Sequence, residues 1–169
     1  MKTIYLGLGS NIGDREQMLQ AALDRLNAPD LIVKRVSSVY ETEPIYLKEQ
    51  RQFLNAVVEA ETEHFPMVLL SRIQKIEVAL GRKRDGPQNG PRAIDIDILF
   101  YGNSTVTSGK LEIPHPRLHE RRFVMAPMVE LAPDFRHPRL HKTMRQLLAG
   151  VEGQQVRIID TGLLLAKSQ

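Results

Sequence analysis

Along residues 1–101, segments with the apolar spacing of β-strands alternate with segments that have the apolar spacing of α-helices. This order of segments restricts the fold more than any other feature of the sequence. Apolar side chains recur at every second residue in four segments and at helical spacing in two. The resulting order, β-α-β-β-α-β, predicts an α+β ferredoxin-like sheet with two helices on one face and additional C-terminal helices partly covering the other. The predicted strands are 3–8, 31–40, 53–62 and 93–101, and the predicted helices run from about 14 to 29 and from 66 to 81.

Local signals support the helix boundaries and extend the prediction toward the C-terminus. Asp14 is a favoured N-cap residue, and Gln17 three positions later resembles a capping box. Pro66 lies near the first turn of the second helix, where its missing N–H costs little, and Gly81 ends that helix. Further along the chain we predict helices over 117–131 and 142–148 and one more strand over 156–160.

Composition excludes several classes of protein. The chain has 169 residues, of which 42% are hydrophobic, so we expect one domain, residues 1–169, with a sizeable core. The absence of cysteine excludes disulfides and thiolate chemistry and favours a reducing, cytoplasmic compartment. No apolar run approaches the roughly 18 residues of a membrane helix, and the N-terminus does not resemble a signal peptide. A net charge of +3 favours an anionic partner without choosing among the candidates.

Two aspartates share one face of the strand predicted over 93–101. Asp95 and Asp97 alternate with apolar residues at the even positions from Ile94 to Phe100, which are expected to form the opposite face. Like charges about 7 Å apart along a strand would raise one pKa and destabilise the strand. A Mg²⁺ ion shared with substrate phosphates removes this conflict, because it prefers hard oxygen ligands. A solvated strand face, or aspartates paired with arginines, is the alternative for the strand by itself.

A basic loop over 81–91 precedes this strand. It contains Arg82, Lys83 and Arg84 and leads into Arg92. These four cations suit a polyphosphate, and a solvated basic turn is the alternative. A polycationic loop next to an Asp-x-Asp strand is the arrangement expected for transfer from a nucleoside triphosphate, so the combination predicts an enzyme.

The face that carries the aspartates also receives small, aromatic and amide groups from two other strands. Gly7 and Gly9 lie on the first strand, and Phe53 and Asn55 lie on the third, all with the parity of this face. Such groups are more typical of a pocket than of a core. We therefore predict a cleft where the C-terminal helices leave this face uncovered.

A second basic cluster surrounds His115, which lies between two prolines. Arg117, Arg121 and Arg122 follow it near the start of a predicted helix. A histidine and arginines at such a position can bind phosphate oxygens, so we predict a phosphate contact here. His119 could serve equally, and a structural or exposed histidine is the alternative reading.

Taken together, these motifs resemble the 6-hydroxymethyl-7,8-dihydropterin pyrophosphokinase family. The resemblance covers residues 3–135, is weakest beyond about residue 138, and rests on the blocks LGLGSNIGD, SSVYETEPI, FLNAVVEAET, IEVALGRKR, GPRAIDIDILFYG and IPHPRLHERRFVMAPMVELAP. It implies transfer of a diphosphate from ATP to the hydroxymethyl group of the pterin, with release of AMP, in folate biosynthesis. It also implies a ferredoxin-like fold, ATP as co-substrate and two Mg²⁺ ions.

The resemblance further implies a role for individual residues. Asp95 and Asp97 would bind both Mg²⁺ ions, and the residues implied in catalysis are Arg82, Arg84, Arg92, Asp95 and Asp97. Those implied in ATP binding are Leu70, Gln74, Glu77, Arg84, Arg92, Ile98, Lys110, His115 and Arg121. Those implied in pterin binding are Gly9, Thr42, Glu43, Ile45, Phe53, Asn55, Asp95 and Phe123, with the two phenylalanines stacking on the ring. The chain departs from some members of the family at Gln88, Asn89 and Pro116.

Two other functions use the same features. A two-metal nucleotide phosphohydrolase would use the same aspartates and would break down nucleotide without a pterin. A nucleic-acid-binding module would need exposed aromatic residues on the sheet, where this chain has aspartates. We expect a monomer whose partners are the small-molecule substrates ATP and the pterin, without a nucleic-acid or membrane partner.

Overall fold

The structure of the chain is a computed structural model that describes residues 1–42, 52–81 and 93–159. The strands in these ranges are β1 (Lys2–Ser10), β2 (Leu31–Val36), β3 (Val39–Thr42), β4 (Phe53–Thr62), β5 (Asp95–Tyr101), β6 (Val106–Thr107), β7 (Glu112–Ile113) and β8 (Val156–Ile159). The α-helices are α1 (Arg15–Leu26), α2 (Pro66–Ala79), α3 (Arg122–Leu131) and α4 (Met144–Ala149), and a 3₁₀ turn spans Leu118–Glu120.

Strand β1 lies inside an antiparallel sheet. It pairs with β4 on one side, from Lys2 opposite Thr62 to Ser10 opposite Leu54, and with β5 on the other side. The order across the sheet is β5-β1-β4-β3-β8, and β2 also pairs with β4. Strands β6 and β7 form a separate two-stranded sheet. The predicted α+β architecture is confirmed, and the elements follow the predicted order except that the second strand is divided and the pair β6 and β7 is added.

The sheet separates two apolar clusters. One packs between the sheet and helices α1 and α2, and the other packs between the opposite face and helices α3 and α4. On the second face, the cluster includes Tyr5 and Val57 but neither Gly9 nor Asn55, which lie further along the same strands. The C-terminal helices therefore cover part of this face, as predicted, and a different set of groups occupies its remaining end.

The segment predicted as a single strand over 31–40 forms two strands, so that prediction is wrong. Both β2 and β3 pair with β4, and Ser37 lies between them. The Ser37 N–H donates to the Val57 carbonyl, and the Ser37 hydroxyl accepts from the Val57 N–H, each at 2.9 Å. A side-chain oxygen thus replaces a backbone acceptor at this point of the ladder, which interrupts the strand.

A bulge in β5 changes the face on which its last residues lie. Tyr5 of β1 pairs with Phe100, whereas the next residue of β1 pairs with Ile98, so Leu99 is an extra residue. Phe100 consequently lies in the cluster under α3, and Tyr101 lies in the cluster under α1 and α2. The prediction that Phe100 shares the face of the isoleucines is wrong, because one extra residue exchanges the two faces. Both aspartates precede the bulge and keep their predicted face.

The boundaries of the first two helices agree with prediction. Asp14 is the N-cap of α1, and its carboxylate accepts a hydrogen bond from the Gln17 N–H at 3.1 Å. Pro66 is the first residue of α2. Gly81 follows α2 with a φ of 95°, a conformation that glycine adopts without steric cost.

The C-terminal elements differ in part from prediction. The helix predicted over 117–131 begins at Arg122, because Arg121 has an extended backbone that separates α3 from the preceding 3₁₀ turn. The helix predicted over 142–148 is α4, which Thr143 caps. The predicted last strand is β8, and it pairs with β3 so that Val156 lies opposite Thr42.

Candidate functional site

Three strands bring a row of predicted site residues together at one end of the sheet. Asp95 of β5 lies opposite Gly9 of β1, and Gly9 lies opposite Asn55 of β4. Asp97 lies opposite Gly7 in the same register. Both carboxylate-bearing residues are partly exposed, and they lie on the face opposite the core of α1 and α2. The row therefore forms one wall of a candidate site with acidic groups at one end and an amide at the other.

The amide end of the row is held in one orientation. Asn55 is 7% exposed, and its Nδ2 donates to the Thr42 hydroxyl at 2.7 Å. A Cβ at position 9 would lie 3.0 Å from the Asn55 Oδ1 and 3.7 Å from a ring carbon of Phe53. Glycine at position 9 is therefore what admits the amide and the aromatic ring side by side. The structure thus brings together Gly9, Thr42, Phe53 and Asn55, as the sequence predicted.

His115 lies beside the acidic end of the row. Its backbone N–H donates to the Leu99 carbonyl at 3.3 Å, which places it along β5. Burial and the charges of Arg121 and Arg117 lower the pKa of the imidazole to about 4, against the opposing effect of Asp95. The side chain is therefore neutral at pH 7. Its buried Nδ1 has no hydrogen-bond partner among the residues that the structure describes.

Arg121 and Phe123 lie together at the start of α3. The Arg121 guanidinium carbon is 5.9 Å from the centroid of the Phe123 ring, within the range of a cation–π contact. Phe123 is partly buried and packs against the cluster under α3. A basic group and an aromatic face are thus positioned by the same helix terminus.

The far end of α3 is anchored to the sheet by a network that the sequence did not predict. The Glu130 carboxylate accepts hydrogen bonds from the Ser38 N–H at 2.8 Å and from the Tyr40 hydroxyl at 2.8 Å. Burial and this carboxylate raise the pKa of Tyr40. The Arg35 guanidinium adds a hydrogen bond to the Leu131 carbonyl at 2.6 Å. Because Arg121 is the N-cap of α3 and Phe123 lies in its first turn, these bonds help to position both residues.

The start of α3 is held by Gln154, which also lacked a sequence signal. The Arg122 N–H donates to the Gln154 Oε1 at 2.9 Å, and the Gln154 Nε2 donates to the Glu120 carbonyl at 2.8 Å. Gln154 is 32 residues from Arg122, and no motif or periodicity relates the two positions. Sequence reasoning gave this part of the chain no function, whereas the structure places it against the candidate site.

Five of the residues predicted to bind ATP lie on α2, on β5 or between β6 and β7. Leu70 and Ile98 pack in the cluster under α2, on the face opposite the aspartates. Glu77 is 6% exposed, and its Oε2 accepts a hydrogen bond from the Ile96 N–H at 2.8 Å, so it also fixes the start of β5. Gln74 is partly exposed on α2, and Lys110 is exposed between β6 and β7. Their roles in ATP binding remain predictions.

Several predicted residues lie outside the described ranges. They are Glu43 and Ile45 of the pterin set, and Arg82, Arg84 and Arg92 of the basic loop. The departures at Gln88 and Asn89 also lie outside these ranges.

The described residues contain two neighbouring carboxylates that suit a divalent cation. Asp95 and Asp97 are partly exposed oxygen donors on one sheet face. No group of three or more His, Cys, Asp or Glu side chains in the described ranges could enclose a metal ion. This donor set fits Mg²⁺, which keeps several waters and is often bound by one or two carboxylates together with substrate phosphates. Among the described residues, none of the helices is long and apolar enough to cross a membrane.

Comparison with known proteins identifies the family. A sequence model of the family 7,8-dihydro-6-hydroxymethylpterin-pyrophosphokinase (HPPK) matches residues 5–133. The chain belongs to the HPPK family. Two relatives match this chain over most of their own length. The 2-amino-4-hydroxy-6-hydroxymethyldihydropteridine pyrophosphokinase of Aquifex aeolicus is 40% identical over 146 residues, which cover 86% of this chain and 90% of the relative. The Bacillus subtilis protein of the same name is 45% identical over 128 residues, covering 75% of this chain and 76% of the relative.

Other relatives are much longer than this chain. The folic acid synthesis protein fol1 of Schizosaccharomyces pombe is 42% identical over 161 residues, which cover 95% of this chain but 22% of that protein. The chain spans between 18% and 26% of the length of four such relatives. A crystal structure of Plasmodium falciparum HPPK-DHPS with pteroate superposes with a TM-score of 0.73 at 18% identity, covering 88% of this chain and 42% of that one. This likeness supports the same HPPK fold.

Proposed function

We propose that this chain transfers a diphosphate from ATP to the hydroxymethyl group of 6-hydroxymethyl-7,8-dihydropterin, a step of folate biosynthesis. The hydroxyl oxygen forms a bond to the β-phosphorus of ATP, and the bond from that phosphorus to the oxygen bridging to the α-phosphorus breaks. AMP leaves, the hydroxyl proton passes to solvent, and the pterin diphosphate is the second product.

The row Asp95–Gly9–Asn55 carries the proposal. It places two carboxylates at one end of a sheet face and a fixed amide with an aromatic ring at the other. A substrate that spans this row needs a flat hydrogen-bonding heterocycle at one end and a phosphate-bearing partner at the other. The pterin alcohol and ATP together meet both requirements, and family membership supports the same pair.

At the amide end, the side chains select and orient the ring. Because the Asn55 Nδ2 is bonded to Thr42, its Oδ1 is the atom left to accept a hydrogen bond from a ring N–H or amino group. Phe53 lies next to this amide and offers a stacking face, and we propose Phe123 as the opposite face. Geometry of this kind accelerates the reaction by holding the hydroxymethyl group in one place.

At the acidic end, Asp95 and Asp97 would hold the Mg²⁺ ions. When bound, two such ions neutralise phosphate charge and bring the triphosphate and the hydroxyl together. Neutral His115 donates a hydrogen bond to a phosphate oxygen, and cationic Arg121 stabilises the charge that develops on the leaving phosphate. No side chain is assigned as a base, since positioning and charge neutralisation account for this chemistry.

The reaction products test this proposal. Purified protein with Mg²⁺, ATP and the reduced hydroxymethylpterin should release one AMP for each pterin diphosphate, and EDTA should stop the reaction. Formation of ADP would contradict diphosphate transfer. Nucleotide breakdown at the same rate without the pterin would instead indicate a phosphohydrolase.

A methyl group at position 9 should impair the pterin side alone. In Gly9→Ala, the new Cβ lies 3.0 Å from the Asn55 Oδ1, so the amide has to shift by a few tenths of an ångström. We expect the KM for the pterin to rise about tenfold, equivalent to about 1.4 kcal/mol, while the KM for ATP stays the same. The matched control is Gly109→Ala, because a Cβ at that position meets no atom within 4 Å. An unchanged pterin KM in Gly9→Ala would contradict the proposed position of the ring.

We also propose that the enzyme acts as a monomer in the cytoplasm. The predicted site draws on one copy of the chain, and the lack of cysteine suits a reducing compartment. Light scattering during size-exclusion chromatography would test the oligomeric state, and a dimer mass at micromolar concentration would overturn it.

A further inference from the structure

An arginine on the far side of the sheet joins the two strand ends that carry Thr42 and Phe53. The same terminal nitrogen of Arg15 donates to the Glu41 Oε2 and to the Gln52 carbonyl, each at 2.9 Å. Glu41 directly precedes Thr42, and Gln52 directly precedes Phe53. Thr42 and Phe53 are paired with each other at the end of the β3–β4 ladder. Arg15 therefore links the two strands where the described ladder ends.

This arginine lies on the opposite side of the sheet from the candidate site. Glu41 lies opposite Leu54, which belongs to the cluster under α1 and α2, whereas Thr42 and Asn55 lie on the other face. The side chains of Arg15 and Glu41 are 15% and 12% exposed, so the pair is largely shielded from solvent. A shielded pair is more rigid than an exposed one, and removal of one partner leaves the other charge buried and unpaired.

Helix electrostatics indicate that the charge of Arg15 does not stabilise its own helix. It is the first residue of α1, where the helix dipole presents partial positive charge. A cation is unfavourable at that position, whereas the acidic side chains of Asp14 and Glu16 are favourable there. The two hydrogen bonds to β3 and to Gln52 are the interactions that offset this local cost.

We propose that Arg15 is a positioning residue for the pterin side of the site. By holding Glu41 and the Gln52 carbonyl together, it fixes the spacing of Thr42 and Phe53, and through Thr42 it fixes the orientation of the Asn55 amide. The inference rests on the proposed function, since it concerns how tightly the pterin is bound.

A second arginine on the same carboxylate provides a matched control. Arg157 of β8 contacts the other oxygen of Glu41, but its side chain is 74% exposed. Exposed ion pairs contribute little to stability, because solvent screens them and a long side chain loses freedom. Within the described ranges, the hydrogen bonds of the Arg157 side chain are to Glu41 and not to Gln52 or Phe53, so we expect Arg157 to be dispensable for the pterin site.

The experiment compares Arg15→Ala, Arg15→Lys and Arg157→Ala by steady-state kinetics. In Arg15→Ala the KM for the pterin should rise about ten- to a hundredfold, with the KM for ATP and the kcat within about threefold of wild type. Arg15→Lys should recover a large part of this loss, because an ammonium can also donate to two acceptors. Arg157→Ala should behave as wild type. Equal losses in pterin and ATP parameters, or no loss in Arg15→Ala, would overturn the proposal.

A measurement without substrate separates this inference from the proposed function. Amide hydrogen exchange in peptides covering residues 38–42 and 52–56 should be faster in Arg15→Ala than in wild type and in Arg157→Ala. If wild type fails to make AMP, the proposed function fails, and the exchange data still decide whether Arg15 holds the strand ends. Unchanged exchange would refute the positioning role whatever the enzyme does. If Arg15→Ala does not fold, Glu41→Gln, which keeps the size of the side chain, replaces it in both measurements.

Discussion

Asp97→Asn is expected to slow AMP formation by roughly 10²–10³-fold, the range found when one preorganised electrostatic contact is removed. Asparagine keeps the size of the side chain but removes the charge that would bind Mg²⁺ at the acidic end of the row. The residue lies on a partly exposed face two positions from Asp95, so its substitution also relieves a like-charge repulsion. The free energy of unfolding should therefore change by no more than about 0.5 kcal/mol.

The measurement is the rate of AMP release under saturating substrates, together with a urea unfolding curve. Asp134→Asn is the matched control, because that aspartate is 85% exposed and its ion pair is with Arg145. The control should keep full activity. If Asp97→Asn unfolds instead of losing activity, the aspartate is part of a structural ion pair and the assignment of the acidic end is wrong.

Acid is expected to destabilise the protein through the buried side chain of His137. His137 is 3% exposed, and its Nδ1 accepts hydrogen bonds from the N–H groups of Arg139 and Leu140, each at 3.1 Å. The proton of the neutral ring is therefore on Nε2. Burial, followed by the charges of His119, Arg139 and His141, lowers the pKa of His137 from 6.5 to about 4.

The sign of the effect follows from the direction of this shift. The folded state binds the proton less readily than the unfolded state, so the full contribution of His137 is present above pH 6.5. It declines as the pH falls and is lost once the pH has passed through about 4. The loss amounts to about 3 kcal/mol at 1.36 kcal/mol per pH unit.

His137→Asn tests this origin, because its Oδ1 can still accept from the same N–H groups but does not titrate. Urea unfolding at pH 7 and at pH 4 should show a smaller loss of stability in the variant than in wild type. His115 also has a lowered pKa, and it contributes equally to both proteins. Equal losses in the two proteins would mean that folding does not lower the pKa of His137.

Much of the fold could be predicted because its signals are local. Alternation located β4 at residues 53–62, and a single capping aspartate located the start of α1. The break at Ser37 and the bulge at Leu99 could not be predicted in this way. A serine followed by a serine is compatible with a continuous strand, and leucine suits either face of a sheet that has a core on both sides. Both irregularities are fixed by hydrogen bonds to strands distant in sequence.

The candidate site also divides into features with a local sequence signal and features fixed by contacts between distant residues. Asp95, Gly9 and Asn55 could be placed on one face because strand periodicity alone decides the side on which each residue lies. The contacts that hold this face in place join residues with no periodic relation, such as Arg15 with Glu41 and Arg122 with Gln154. Such pairs depend on how helices pack on the sheet, which a single sequence does not encode in a short pattern.

The position of β1 inside the sheet has a consequence for how the chain folds. Its partners are distant in sequence, since Lys2 pairs with Thr62 and Ile4 pairs with Tyr101. Such pairings form only after long loops have closed, and the entropy lost on closing these loops makes folding slow. During synthesis β1 emerges before both of its partners, so one ladder must wait for β4 and the other for β5 to leave the ribosome. The row that contains Gly9 therefore forms late. Until then β1 is an unpaired apolar strand that chaperones can bind and that can aggregate.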